Sequence, residues 1–85
     1  MKSSVYASFN VIAIQTKYLP CTNTRGSRIK AWEPEGKAVT LPWDHALDSV
    51  SNAREAAQAL CKKMKWTGKM VSGWIGQGYV FVFVD

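Results

Sequence analysis

The chain has few of the residues that mark a disulfide-rich or metal-binding protein. Its 85 residues include two cysteines, Cys21 and Cys61, and one histidine, His45. A secreted domain of this size usually carries several disulfides, so this count predicts free thiols in a reduced, intracellular protein. One histidine and two separated cysteines also lack the spacing of metal ligands, and we expect neither a metal nor a cofactor.

Long apolar runs are missing as well. The longest, residues 79–84, is much shorter than the roughly 20 residues that a membrane-spanning helix needs, and it suits a strand. Polar residues interrupt the segment after Met1 and Lys2, so no signal peptide is predicted. We therefore expect a cytoplasmic protein that makes no membrane contact.

Acidic residues are in the minority. The chain has 11 Lys and Arg against 6 Asp and Glu, which gives a net charge of +5. This balance favours an anionic partner and disfavours an acidic surface that imitates nucleic acid. An apolar content of 47% is ordinary for a globular protein, and the length predicts one domain over residues 1–85.

No catalytic group is predicted. Cys21, His45 and Asp44 could be read as nucleophile, base and orienting carboxylate. However, Asp44 and His45 are neighbours in the chain, which rarely lets one orient the ring of the other. Cys21 stands in a Pro-Cys-Thr loop rather than at a predicted helix start that would activate it. We expect a protein that is not an enzyme.

Alternating side chains predict five strands, over residues 5–16, 27–33, 37–43, 69–75 and 79–84. In the first, Ala13 belongs to the mostly apolar face and Ile14 to the other. The last is apolar on both faces, which is typical of a central strand that is covered on both sides.

One helix is predicted for residues 52–64. Its apolar positions recur with a period of 3.6 and are Ala53, Ala56, Ala57, Leu60, Cys61 and Met64. Asn52 with Glu55 resembles a capping box, Ser51 is a competing N-cap, and Gly68 suits the end of the helix.

The predicted architecture is α+β. An antiparallel sheet of about five strands, in the order β-β-β-α-β-β along the chain, carries one amphipathic helix on one face. One helix leaves the other face of such a sheet uncovered. That face is predicted to bind a partner or to join two copies of the chain in a homodimer.

The strongest functional lead is the segment TKYLPCTNTRGSRIKAW, residues 16–32, which holds four cations and no acidic residue. Arg28, Lys30 and Trp32 share one face of a predicted strand. Cations neutralise phosphates and a tryptophan stacks on a base. The predicted binding residues are Lys17, Tyr18, Arg25, Arg28, Lys30 and Trp32. A secondary basic zone is predicted at Lys62, Lys65 and Lys69.

Together with LPWDHAL (41–47) and EAAQALCKKMKW (55–66), this segment resembles a group of short proteins encoded on proteobacterial phages, plasmids and other mobile elements. The resemblance implies a binding role, such as that of anti-CRISPR or other anti-defence inhibitors, and it transfers no functional residues. It predicts a non-enzymatic module that occupies a protein component of a nucleic-acid-processing or defence complex. The alternative is direct binding of single-stranded DNA or RNA through the basic and aromatic residues.

Overall fold

The computed structural model describes residues 13–84. Its elements are β1 (Ala13–Leu19), β2 (Arg28–Trp32), β3 (Ala38–Pro42), α1 (Ser49–Met64), β4 (Met70–Trp74) and β5 (Tyr79–Phe83). All neighbouring strands pair antiparallel in one five-stranded sheet. The predicted α+β class and the order β-β-β-α-β-β are confirmed.

The chain leaves the strands at residues that suit turns. Pro20 follows β1, where its missing N–H ends the ladder. Gly36 between β2 and β3 has a φ of 104°, and Gly76 between β4 and β5 has a φ of 89°. A side chain would be strained at both. The buried carboxylate of Glu33 closes the first of these turns by accepting a hydrogen bond from the Lys37 N–H at 2.7 Å.

The strand order in the sheet is β3-β2-β1-β5-β4. β1 is therefore the middle strand, and the last strand is internal too, as its apolar pattern predicts, because it has a neighbour on each side. β5 lies between β1 and β4, with Val80 and Val82 half-buried on the side away from Phe81. Within residues 13–84 the one helix lies on the other side of the sheet, so in this part of the chain an internal strand is apolar on both faces without a second covering layer.

The face of β1 that meets the helix also differs from the prediction. Residues 5–12 of the predicted first strand lie outside the described residues. In the described part, Ile14 and Thr16 are buried, whereas Ala13 is only half-buried. The register places Ile14 opposite Phe81, and this pairing turns the Ile14 side toward the helix. The alternation of side chains within one strand does not reveal which of its two faces will pack against the helix, because that depends on the register with the neighbouring strands.

The helix begins three residues earlier than predicted, at Ser49. Its N-cap is Asp48, whose Oδ1 accepts a hydrogen bond from the Ser51 N–H at 2.9 Å. Hydrogen bonding by Ser51, first through its side chain and then through its backbone, lowers the pKa of Asp48. The prediction that Ser51 or Asn52 is the cap is therefore wrong.

Lys65, not Gly68, ends the helix. Lys65 adopts the left-handed conformation with a φ of 61°, and its N–H turns back to the carbonyls of Cys61 and Lys62. This closes the last turn in the way a C-terminal glycine usually does. Lys62 and Lys63 in that turn complement the negative end of the helix dipole.

Asn52 holds the loop that leads into the helix by hydrogen bonds. Its Nδ2 donates to the carbonyls of Asp44, Leu47 and Asp48, and its Oδ1 accepts from the Asp44 N–H at 2.9 Å. The Asn52 side chain is buried, so water cannot easily replace it as the hydrogen-bond partner of these backbone groups.

Asn52→Ala should therefore lower the free energy of unfolding by about 1–3 kcal/mol, the cost of leaving buried polar groups without partners. Chemical denaturation measures the change. Gln58→Ala, on the exposed side of the same helix, is the control and should shift stability by less than about 0.5 kcal/mol. Equal losses of unfolding free energy in the two variants would contradict the role of Asn52 in holding the loop.

The helix joins the two edge strands, β3 and β4, and so it must cross the sheet. Its 16 residues span about 24 Å, enough to cross five strands spaced about 4.8 Å apart. It lies mainly on β2, β3 and β1, touches β5, and meets β4 near its own end, where Cys61 contacts Met70. The buried core between helix and sheet consists of Ile14, Ile29, Ala31, Ala53, Ala56, Ala57, Leu60, Cys61 and Phe81.

Candidate functional site

The sheet face away from the helix, here called the open face, gathers most of the predicted binding residues. Lys17 on β1 and Lys30 on β2 are direct cross-strand partners. Arg28 and Trp32 lie two residues to either side of Lys30 and share its face, because Ile29 and Ala31 between them are buried under the helix. We call Lys17, Arg28 and Lys30 the basic strip.

The basic strip concentrates positive charge. Like charges directly opposite each other on neighbouring strands destabilise a sheet. The Lys30 ammonium lies over the Trp32 ring, 5.5 Å from its centroid, a cation–π contact that offsets part of this repulsion. An anion between Lys17 and Lys30 would relieve the rest.

The other half of the open face is apolar. Val80 and Val82 on β5 and Val71 on β4 lie side by side, with Val71 and Val82 as cross-strand partners. Val71 is 52% exposed. The open face thus changes from cationic on β1 and β2 to aliphatic on β5 and β4.

Arg25 lies in the loop between β1 and β2. Thr22 organises that loop: its N–H donates to the Arg25 carbonyl at 2.7 Å, and its Oγ1 accepts from the Arg25 N–H at 3.1 Å. Arg25 and Arg28 border the same shallow depression beside Pro42 on β3. Arg25 therefore extends the basic strip toward the end of the sheet.

Tyr18 points the other way, to the face that carries the helix. Its ring meets the edge of Trp43 with centroids 5.0 Å apart, and its hydroxyl is 3.0 Å from the Ser27 Oγ. The structure thus separates Tyr18 from the other predicted binding residues. Strand alternation explains the separation, since Lys17 and Tyr18 are consecutive.

The predicted secondary zone of Lys62, Lys65 and Lys69 lies at the end of the helix and the start of β4. Lys62 and Lys65 border a second concavity there, next to Trp66. This zone is at the opposite end of the sheet from the β1–β2 loop. It forms a basic surface separate from the basic strip.

An aromatic cleft stands out on the helix-bearing face, and the sequence reasoning missed it. Two edge-to-face pairs line it: Tyr18 with Trp43, and Trp74 with Tyr79 at 5.1 Å. Its volume is about 520 Å³. Each of the four rings stands at or next to a strand end, and in an antiparallel sheet these ends meet. That shared position is the signal that could have revealed the cleft.

The two cysteines are free thiols in different surroundings. Cys21 is exposed in the β1–β2 loop, and Cys61 is buried on the helix. Burial raises the pKa of the Cys61 thiol, whose Sγ lies 3.9 Å from the Met70 Sδ. A buried, protonated thiol suits packing more than nucleophilic attack.

No family model, curated protein or solved structure matches the chain. Within residues 13–84, no helix is both long and apolar enough to cross a membrane. In the same part of the chain, no three His, Cys, Asp or Glu side chains are grouped so that they could hold a metal ion. The case for a function therefore depends on the open face and the aromatic cleft.

Proposed function

We propose that this chain is a non-enzymatic binding protein whose open face binds the phosphate backbone of single-stranded DNA or RNA. The observation that carries the proposal is the cross-strand pair Lys17–Lys30, with Arg28 and Trp32 on the same open face. Of the two partner classes that the sequence leaves open, this arrangement favours nucleic acid. The two free thiols are consistent with work in a reducing cytoplasm.

Each residue of the face has a distinct role in this proposal. Lys17 and Lys30 bind phosphates as point charges, whereas the Arg28 guanidinium can hold two phosphate oxygens at once. Trp32 stacks on an unpaired base, which is why a single strand fits better than a duplex whose bases are already stacked. When a base covers the Trp32 ring, the Lys30 ammonium is displaced from it and becomes free for a phosphate.

The test is the salt dependence of binding to a fluorescently labelled oligothymidylate, measured by anisotropy. Each phosphate contact to a single strand contributes about 0.7 to the slope of log affinity against log salt concentration. Lys17→Gln combined with Lys30→Gln should therefore make that slope shallower by about 1.4 and weaken binding at low salt. Thermal stability should change little, because the substitution removes a repulsive like-charge pair together with the favourable Lys30–Trp32 contact.

A matched control removes the same charge elsewhere. Lys62→Gln with Lys65→Gln changes two exposed lysines at the opposite end of the sheet. Its slope and affinity should stay close to those of the wild type. If both double variants lose affinity equally, binding follows net charge and the open face is not the site.

A second candidate function rests on the apolar half of the open face. Exposed Val71, next to Val80 and Val82, suits a protein surface better than a phosphate backbone. The partner would then be a protein component of a defence or nucleic-acid-processing complex, as the resemblance to mobile-element proteins implies, or a second copy of the chain. In that case Val71→Lys should abolish association while the salt slope stays shallow.

A further inference from the structure

The aromatic cleft exists because the helix crosses the sheet at an angle. The helix starts beside β3 and meets β4 only near its other end, where the Cys61 Sγ lies 3.9 Å from the Sδ of Met70, the first residue of β4. Within residues 13–84, the helix therefore leaves uncovered the corner of this face where β4 ends and β5 begins, and its first turns, with Ser49 and Ala53, border that corner. The cleft that fills this corner is about 520 Å³, within the range of about 300–1,000 Å³ typical of small-ligand sites.

The cleft offers unused aromatic surface. Trp74 is 63% exposed and Tyr18 is 46% exposed, although both belong to side-chain types that usually bury more. The Trp74 and Tyr79 rings lie 61° apart, and those of Tyr18 and Trp43 lie 83° apart. Because neither pair is stacked face to face, ring-face area in each pair remains available to a flat ligand.

Side-chain hydrogen bonds hold two of the cleft residues, Tyr79 and Tyr18, in place. The Thr16 hydroxyl donates to the Tyr79 carbonyl at 2.7 Å and accepts from the Tyr79 N–H at 3.1 Å. The Tyr18 hydroxyl is tied to Ser27. The backbone of Tyr79 and the ring of Tyr18 are thus held in place before any ligand arrives, which reduces the entropy lost on binding.

The polar groups of the cleft suit the edge of a heterocyclic ring. Ser49 and Gln77 contribute a hydroxyl and an amide, and His45 contributes an imidazole. Each of them can both donate and accept a hydrogen bond when the imidazole is neutral. Among the described residues that line the cleft there is no carboxylate that would attract a cation. With a net charge of +5, the protein favours a neutral ring that is attached to a negatively charged group, such as a phosphate.

We propose that the aromatic cleft binds a nucleobase. Lys17 on the open face and Tyr18 in the cleft are consecutive residues, so the end of β1 connects the two surfaces. The base would belong to the same strand whose phosphates lie on the basic strip. In this respect the inference rests on the proposed function and adds a second, base-specific contact to it.

The test uses a mononucleotide, which probes the cleft without needing the whole open face. Adenosine monophosphate should shift the indole N–H resonances of Trp43 and Trp74 in NMR spectra of the labelled protein, and ribose 5-phosphate should not. Trp74→Ala should weaken adenosine monophosphate binding about tenfold or more, as the loss of a stacking partner does. Ile75→Ala changes the next residue, 49% exposed and outside the cleft lining, and should bind as the wild type does.

The outcomes separate this inference from the proposed function. Equal shifts with ribose 5-phosphate, or unchanged affinity in Trp74→Ala, overturn the cleft as a base site. If oligothymidylate still binds with the expected salt slope in that case, the proposed function of the open face stands alone. Shifts at Trp43 and Trp74 with a proline-rich peptide, and none with adenosine monophosphate, also overturn the inference and assign the cleft to a peptide.

Discussion

Leu60→Ala should lower the free energy of unfolding by about 2–5 kcal/mol, the usual cost of truncating a large side chain in a core. Leu60 is fully buried, at 0% exposure, where the helix meets the sheet. Three of its buried neighbours along the helix are the small residues Ala53, Ala56 and Ala57. With so few large side chains near it on the helix, the cavity would have little to fill it.

The experiment compares urea unfolding curves of Leu60→Ala and Leu47→Ala. Leu47 is 36% exposed in the loop before the helix, so the same chemical change there should shift stability by about 0.5 kcal/mol or less. A Leu60→Ala midpoint equal to that of the wild type would mean that this side of the helix does not pack on the sheet.

Gly78→Ala should lower the free energy of unfolding by about 2–3 kcal/mol, the upper part of the usual range for overpacking. A Cβ at this position would collide with the carbonyl oxygen of Thr16 on the central strand. A backbone oxygen cannot rotate away as a flexible side chain does, so β1 and β5 would have to move apart. That shift would also disturb the two hydrogen bonds between Thr16 and Tyr79.

Gly73→Ala is the matched control. Gly73 is in β4, and a Cβ there would meet nothing within 4 Å. The substitution should be neutral or slightly stabilising, since alanine restricts the unfolded chain more than glycine does. If the two alanine variants unfold at the same denaturant concentration, the close approach at Gly78 is not a constraint on the fold.

The fold class was accessible from the sequence because it depends on local periodicity. The stripe from Ala53 to Met64 repeats every 3.6 residues and marks a helix. The alternation of Arg28 and Lys30 with Ile29 marks a strand. The helix start was harder, because Asp48, Ser51 and Asn52 are all good caps and only the loop geometry chooses among them.

For the candidate sites, too, the sequence predicted what depends on one strand and missed what depends on the pairing of strands. Alternation within β2 was enough to place Arg28, Lys30 and Trp32 on one face, and the structure confirms that placement. The pairing of Lys17 with Lys30 required the register between two strands, which no single-strand pattern contains. Tyr18 was grouped with the basic residues because it is near them in the chain, but it lies on the opposite face.

The sequence by itself determined the element types, their order and the sides of β2 and of the helix that enter the core, since each follows from the spacing of neighbouring residues. Tertiary structure alone decided that β1 is central, that Gly78 approaches Thr16, and that four distant aromatic residues form one cleft. These features depend on strand pairing between residues as far apart as Ala13 and Val82, which are 69 positions apart. Such long-range contacts are selected by packing of the whole molecule, and no local pattern encodes them.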